Sequence, residues 1–175
     1  MNVWLTLIRD LFRFRRGPAD VPYVPSLLFA LFVAMIMIDA GAARALTGQN
    51  GNPMLAAANN GVALLLIHVL LKISGKPARF MQTATALLLV RVALSLLTML
   101  LMSAVLPIPK DPEDLQPLQA LLMALMLPLL IWYMALRVHI LRHALEVVWP
   151  RALGLVLLIA AAEFVIALLF VQAFR

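Results

Sequence analysis

Residues 80–106 read FMQTATALLLVRVALSLLTMLLMSAVL, and this stretch decides the fold. It carries one charge, Arg91, close to its middle. About 20 apolar residues cross the hydrocarbon of a bilayer, so the run is expected to be a transmembrane helix. A guanidinium in hydrocarbon is costly unless it is paired. The helix is therefore expected inside a bundle, with a partner for Arg91 on another helix.

Four more apolar runs surround it, at 24–46, 54–73, 117–137 and 152–174. The 175 residues are 65% hydrophobic and 13% charged, with a mean hydropathy of +1.02. A soluble domain is about 45–50% apolar and about 25% charged. The chain is thus expected to be an all-α polytopic membrane protein of five transmembrane helices, preceded by an N-terminal amphipathic interfacial helix. Residues 1–23 form that helix and a linker, and 24–175 form one bundle. No charged or Ser/Gly-rich run is long enough to be a second domain.

Before the first span, NVWLTLIRDLFRFRR (residues 2–16) repeats polar Asn2, Thr6, Arg9, Arg13 and Arg16 at helical spacing. Trp4, Leu5, Leu7, Ile8, Leu11 and Phe12 fill the opposite face. A basic stripe against Trp, Phe and Leu is the pattern of a helix lying in the membrane surface. Gly17-Pro18 is expected to end it. Ala40-Gly41-Ala42, after the first apolar run, resembles a signal-peptidase site. Cleavage is not expected, because the stretch before that run is long and reads as structured.

TGQNGNP (47–53) and SGKPAR (74–79) are short turns, and PIPKDPEDLQ (107–116) reads as a rigid loop. Ala57 and Gly61, four apart, would permit close helix packing. Pro128 is expected to kink the fourth span. Trp132 and Tyr133 are placed near a water interface. The helix is expected to continue as ALRVHILRHALEVVW (135–149) to Trp149, leaving the membrane with Arg137, His139, Arg142, His143 and Glu146. HVLLK (68–72) and HILRH (139–143) echo each other, each before a proline and an arginine.

Net charge is +6, but the basic residues sit at the ends of apolar runs. They report membrane orientation rather than nucleic-acid binding. Ten of the fourteen Lys and Arg residues fall in the N-terminal segment and the 72–79 and 137–151 connections. The positive-inside rule then places the N-terminus in the cytoplasm and, after five spans of an inner membrane, the C-terminus outside. The chain has no cysteine, which excludes disulfides, thiolate metal sites and cysteine nucleophiles.

Three charges fall at membrane depth: Asp39, Arg91 and Glu163. At about 1.5 Å of rise per residue their levels are compatible, with Glu163 central in its run. Arg91–Glu163 is the expected pair, because a guanidinium binds a carboxylate in a planar fork. Such a cluster either relays protons or ions, or fastens the bundle. The apolar surroundings of Glu163 favour a fastener.

Trp4, Arg9, Arg13, Arg16, Arg137, His139, Arg142 and His143 form the expected membrane-surface or partner-binding set. His139 and His143, four apart with Glu146 three further on, are the one arrangement with metal-ligand spacing. A headgroup-facing role is preferred, and no metal or other cofactor is expected. Ser95 and Ser103 lack a nucleophile motif. A phosphate-binding glycine loop and paired aspartates are also missing, so no enzyme activity is expected.

The segment GKPARFMQTATALLL (75–89) resembles the bacterial Yip1-like family of five-span membrane proteins. The likeness rests on Gly75, Lys76, Arg79, Phe80, Thr85 and Ala86, and later on Trp132, Arg137 and His139. It would span about residues 24–174. The resemblance implies a five-helix membrane fold, and the eukaryotic proteins of that family are linked to Rab GTPases and vesicle traffic.

The reading that follows is a non-catalytic inner-membrane scaffold or accessory subunit. Its expected partners are membrane lipids and a membrane protein or a second copy of the chain, with no nucleic acid. The alternatives are a small proton-coupled transporter or channel using Asp39, Arg91 and Glu163, and a lipid-binding or lipid-moving protein.

Overall fold

The computed structural model describes residues 3–47, 51–105 and 116–173. Every regular element among them is helical. The helices are α1 (Val3–Phe12), α2 (Pro25–Thr47), α3 (Pro53–Ile73), α4 (Phe80–Val105), α5 (Pro117–Leu145) and α6 (Trp149–Ala173). Short 3-10 turns at Pro18–Asp20 and Pro77–Arg79 precede α2 and α4. Five helices, α2 to α6, are long and apolar enough to cross a membrane. Most of the loop expected at 107–116 lies outside the described residues.

Proline starts several of these helices, since its fixed φ suits a first turn whose N–H needs no partner. Pro25, Pro53 and Pro117 each open a helix, and Pro150 is the second residue of α6. Asn52 caps α3, its side-chain oxygen accepting from the N–H of Met54 at 2.9 Å and of Leu55 at 3.3 Å.

Two helices end earlier than their sequence suggests. Phe14 adopts a left-handed φ of 58°. The Arg15 N–H then returns to the Asp10 carbonyl at 2.9 Å, so α1 stops at Phe12 rather than near Arg16. Likewise α5 stops at Leu145 instead of continuing to Trp149. Glu146 takes φ 55°, and the Val147 N–H reaches the Arg142 carbonyl at 3.2 Å. Gly75, at φ 71°, ends α3 by the same device, with the Lys76 N–H on the Leu71 carbonyl at 2.8 Å. This is the Schellman closure, for which glycine is the unstrained choice.

The five long helices close into a ring whose order is not that of the chain. Around it run α2, α4, α5, α6 and α3, with α3 back against α2. A smaller contact joins α3 to α4 across the ring. One end of the bundle, the basic end, gathers residues 9–21, the 74–79 turn and residues 143–149. The Gln82 amide donates there to the Val21 carbonyl at 3.1 Å, and Lys76 Nζ to the Leu145 carbonyl at 3.1 Å.

The core sits toward that end. Thr83 to Val90 of α4 are all buried, as are Leu136 to Leu145 of α5 apart from His139, Arg142 and His143. Ala63, Ile67 and Leu71 of α3 and Ala152, Val156 and Ile159 of α6 supply facing stripes. Leu7 and Leu11 of α1 join the same core. That face of α1 therefore rests on protein, and Phe12 meets the Trp132 ring edge-on at 5.5 Å. Thr83 and Thr85 return their hydroxyls to the Arg79 and Met81 carbonyls at 2.8 and 2.7 Å, so neither leaves an unmet donor in the apolar interior.

Packing thins toward the other end. No residue of α5 from Pro117 to Ala135 is buried. Pro128 lies within this part of the helix, which continues through it. Gly61 is not a point of close approach, because a Cβ there would meet nothing within 4 Å. Trp132 is about 20 Å from the end of α5 at ~1.5 Å per residue, well inside the helix.

Candidate functional site

Each of the five long helices supplies one polar side chain to a single interior belt. Asp39 comes from α2, Asn60 from α3, Arg91 from α4, Arg137 from α5 and Glu163 from α6. Counted along their helices from the basic end, they lie about 12 to 21 Å deep at ~1.5 Å per residue.

Glu163 is the hub. Its Oε1 accepts from Arg91 Nη1 at 3.2 Å and its Oε2 from Arg137 Nη1 at 3.1 Å. On its other side Arg91 Nη2 reaches Asp39 Oδ2 at 3.5 Å. The same Asp39 oxygen accepts from the Asn60 amide at 2.8 Å, and that amide also donates to the Ala56 carbonyl at 2.8 Å. Two guanidiniums and two carboxylates sum to zero charge. The Arg137 guanidinium lies over the Tyr133 ring, 5.4 Å from its centre. Both carboxylate oxygens of the hub are engaged, the arrangement that makes a desolvated ion pair tolerable.

The sequence placed Arg137 among membrane-surface residues. That placement is corrected: its side chain is 7% exposed and its partner is Glu163. A basic residue at the end of an apolar run reads as a boundary, yet α5 continues to Leu145 and carries Arg137 into the bundle. Charge counting would have found it. Asp39 and Glu163 against Arg91 alone leave one negative charge unmatched in the interior, so a second cation was needed. Asn60 was visible as a polar residue in an apolar run, but nothing in the sequence named its partner.

The other surface candidates divide. Arg9 pairs with Asp10 at 3.0 Å, and Arg16 with the same carboxylate at 3.4 Å. Arg13, Arg142 and His143 are exposed. His139 is partly enclosed, its Nε2 3.1 Å from the Arg16 carbonyl and its ring 5.4 Å from that of Phe14. It therefore ties the N-terminal segment to α5. Trp4 belongs to α1, but its side chain lies outside the described residues.

The His139 and His143 rings are neighbours at 4.4 Å. Glu146 does not complete a metal site with them, being held instead by Lys76 and, at 2.7 Å, by Arg79. Among the described residues no group of three His, Asp or Glu side chains could hold a metal ion. The hydrogen bonds from Lys76 and then Arg79 hold the Glu146 carboxyl below its ordinary pKa of 4.5. Arg79 also donates to the Ala144 carbonyl at 3.2 Å, so the 74–79 turn caps the end of α5. Cations are favoured at a helix C-terminus, where unpaired carbonyls gather.

Three cavities meet the belt, the smallest of them, about 20 Å³, between Asn60, Arg91, Arg137 and Glu163 and the Ile67, Leu87 and Leu88 side chains. The largest, about 660 Å³, lies between α4 and α5 and is floored by Asp39, Arg91, Arg137 and Glu163. Its walls are mainly Leu and Met side chains, with Ser95, Thr98 and Tyr133 adding hydroxyls. The second, about 220 Å³, lies between α2 and α4 and shares Asp39, Ser95 and Thr98. On the side of the belt nearer the basic end, Thr83 to Val90 of α4 form a continuous buried stretch. No family model, curated protein or solved structure matches the chain.

Proposed function

We propose that this chain is a non-catalytic scaffold or accessory subunit of a bacterial inner membrane, which recruits or stabilises another membrane protein. The observation that carries this reading is the self-contained belt: each of its four charges has an opposite charge within the bundle. Such a belt fixes which helices meet and at what level, and its charge needs no external ion. Exposed Arg13, Arg15, Arg142, His143 and Arg151 gather near the basic end, offering a cationic surface to an acidic partner or to anionic headgroups.

On the same reading α1 lies at the membrane surface with that end in the cytoplasm, following the bias of Lys and Arg. The resemblance to Yip1-like proteins agrees with a five-span protein that acts through partners. Affinity purification from native membranes tests the proposal. A reproducible stoichiometric membrane-protein partner is expected, and its absence would sink the scaffold reading.

Transport through the belt is the second reading, favoured by a cavity that reaches Glu163. It requires a path past the buried residues Thr83 to Val90. Proton flux in proteoliposomes, lost on Glu163→Gln, would replace the scaffold by a transporter.

A further inference from the structure

The cavity between α4 and α5 has a chemistry that the scaffold reading does not use. Its floor offers charges of both signs side by side. The Asp39 and Arg91 side chains are 29% and 19% exposed, more open than Glu163 and Arg137 at 13% and 7%. Their mutual contact, at 3.5 Å, is also the longest in the belt. They are therefore the pair that a ligand can share, a cation settling beside Asp39 and an anion beside Arg91. The net charge of the floor is zero, which suits a zwitterion and penalises a ligand of either single charge.

The walls add a second requirement. Leu127 and Leu130 line the cavity and are also 62% and 51% exposed on the helix that faces outward. The rim is thus part of the surface that a five-span protein turns to lipid. Met123, Met126 and Met134 supply flexible, polarizable wall that adapts to an irregular chain. A volume of about 660 Å³ falls within the range of ligand sites, roughly 300–1,000 Å³. It leaves room for a polar head on the floor while hydrocarbon passes over the rim into the bilayer.

We propose that this cavity binds one zwitterionic phospholipid of the phosphatidylethanolamine type. Its ammonium sits on Asp39, its phosphate on Arg91, and its acyl chains leave past Leu127 and Leu130. Because the charges of the belt form its floor, the site holds the head at the level of Asp39 and Arg91.

The test is native mass spectrometry of the full chain in detergent, with phosphatidylethanolamine or phosphatidylglycerol added at equal concentration. One phosphatidylethanolamine per chain is expected to be retained, in preference to phosphatidylglycerol. Asp39→Asn keeps a side chain able to accept from Asn60 and leaves both Glu163 contacts. It should weaken phosphatidylethanolamine retention about tenfold, the worth of one charge-assisted hydrogen bond. Leu130→Trp, at an exposed position that the fold tolerates, should block the rim and reduce retention similarly. Equal retention of the two lipids, retention of neither, or retention unchanged by both variants would overturn the proposal.

Discussion

Arg137 Nη1 donates to Glu163 Oε2 at 3.1 Å, which joins α5 to α6 by a charge-assisted bond inside the bundle. Removing one partner of a buried pair strands the other, at a cost of about 3–5 kcal/mol. Arg137→Met should lower stability by about that amount in detergent thermal melts, whereas Arg142→Met at the exposed surface should change it by less than about 0.5 kcal/mol. In a cycle with Glu163→Gln, the two losses should fall short of additivity by more than ~0.5 kcal/mol. Additive effects would mean that the two side chains do not act together.

Gly51 lies against the backbone of α2, where an added Cβ would come within 2.0 Å of the Ala40 carbonyl oxygen. Backbone cannot swing aside as a side chain can. Gly51→Ala should therefore destabilise by about 1–3 kcal/mol, the usual range for overpacking. Gly61→Ala is the control, because it meets open space and removes a helix-interior glycine worth about 1 kcal/mol against alanine. It should be neutral or stabilising in the same melts.

Glu146 is exposed, yet Lys76 and Arg79 depress its pKa below 4.5. A depressed carboxyl contributes stability above its unfolded value, and the contribution fades as pH falls through the lower folded value. Protection factors for amide exchange in the 74–79 and 146–149 turns, taken relative to the intrinsic rate at each pH, should therefore fall below about pH 4.5. Glu146→Gln should show lowered protection already at neutral pH and lose that acid response. Glu146→Gly should relax the left-handed φ, which costs a non-glycine residue about 1–2 kcal/mol, while still losing the ion pairs.

Asn52 caps α3 through two backbone N–H groups. Asn52→Ala should cost about 1 kcal/mol. The loss should appear as fraying of the first turn of α3 in hydrogen exchange, with the belt intact.

Five spans were legible because an apolar run near 20 residues long has few other uses. Part of the belt was legible for the opposite reason, since a charge such as Arg91 in such a run demands a partner at its own depth. Arg137 was not, because position at the end of a run looks the same for a residue leaving the membrane and for one folding into the bundle. The stop of α5 at Glu146 was hidden too. Glycine signals that turn at Gly75, whereas here a glutamate adopts it and is held there by residues about 70 positions earlier in the sequence. Nor could apolar runs reveal the ring order, as lipid-facing and helix-facing leucines are chemically alike.

That ring order has a consequence for biosynthesis. Of these five helices α6 leaves the ribosome after the other four, and it closes the circle between α5 and α3. It brings Glu163, which both arginines require. Until it arrives, the nascent bundle holds two guanidiniums against Asp39 alone, an excess of one positive charge in its interior. A chain truncated after Leu145 would be caught in that state, so assembly of the first four spans is provisional until the fifth delivers its carboxylate.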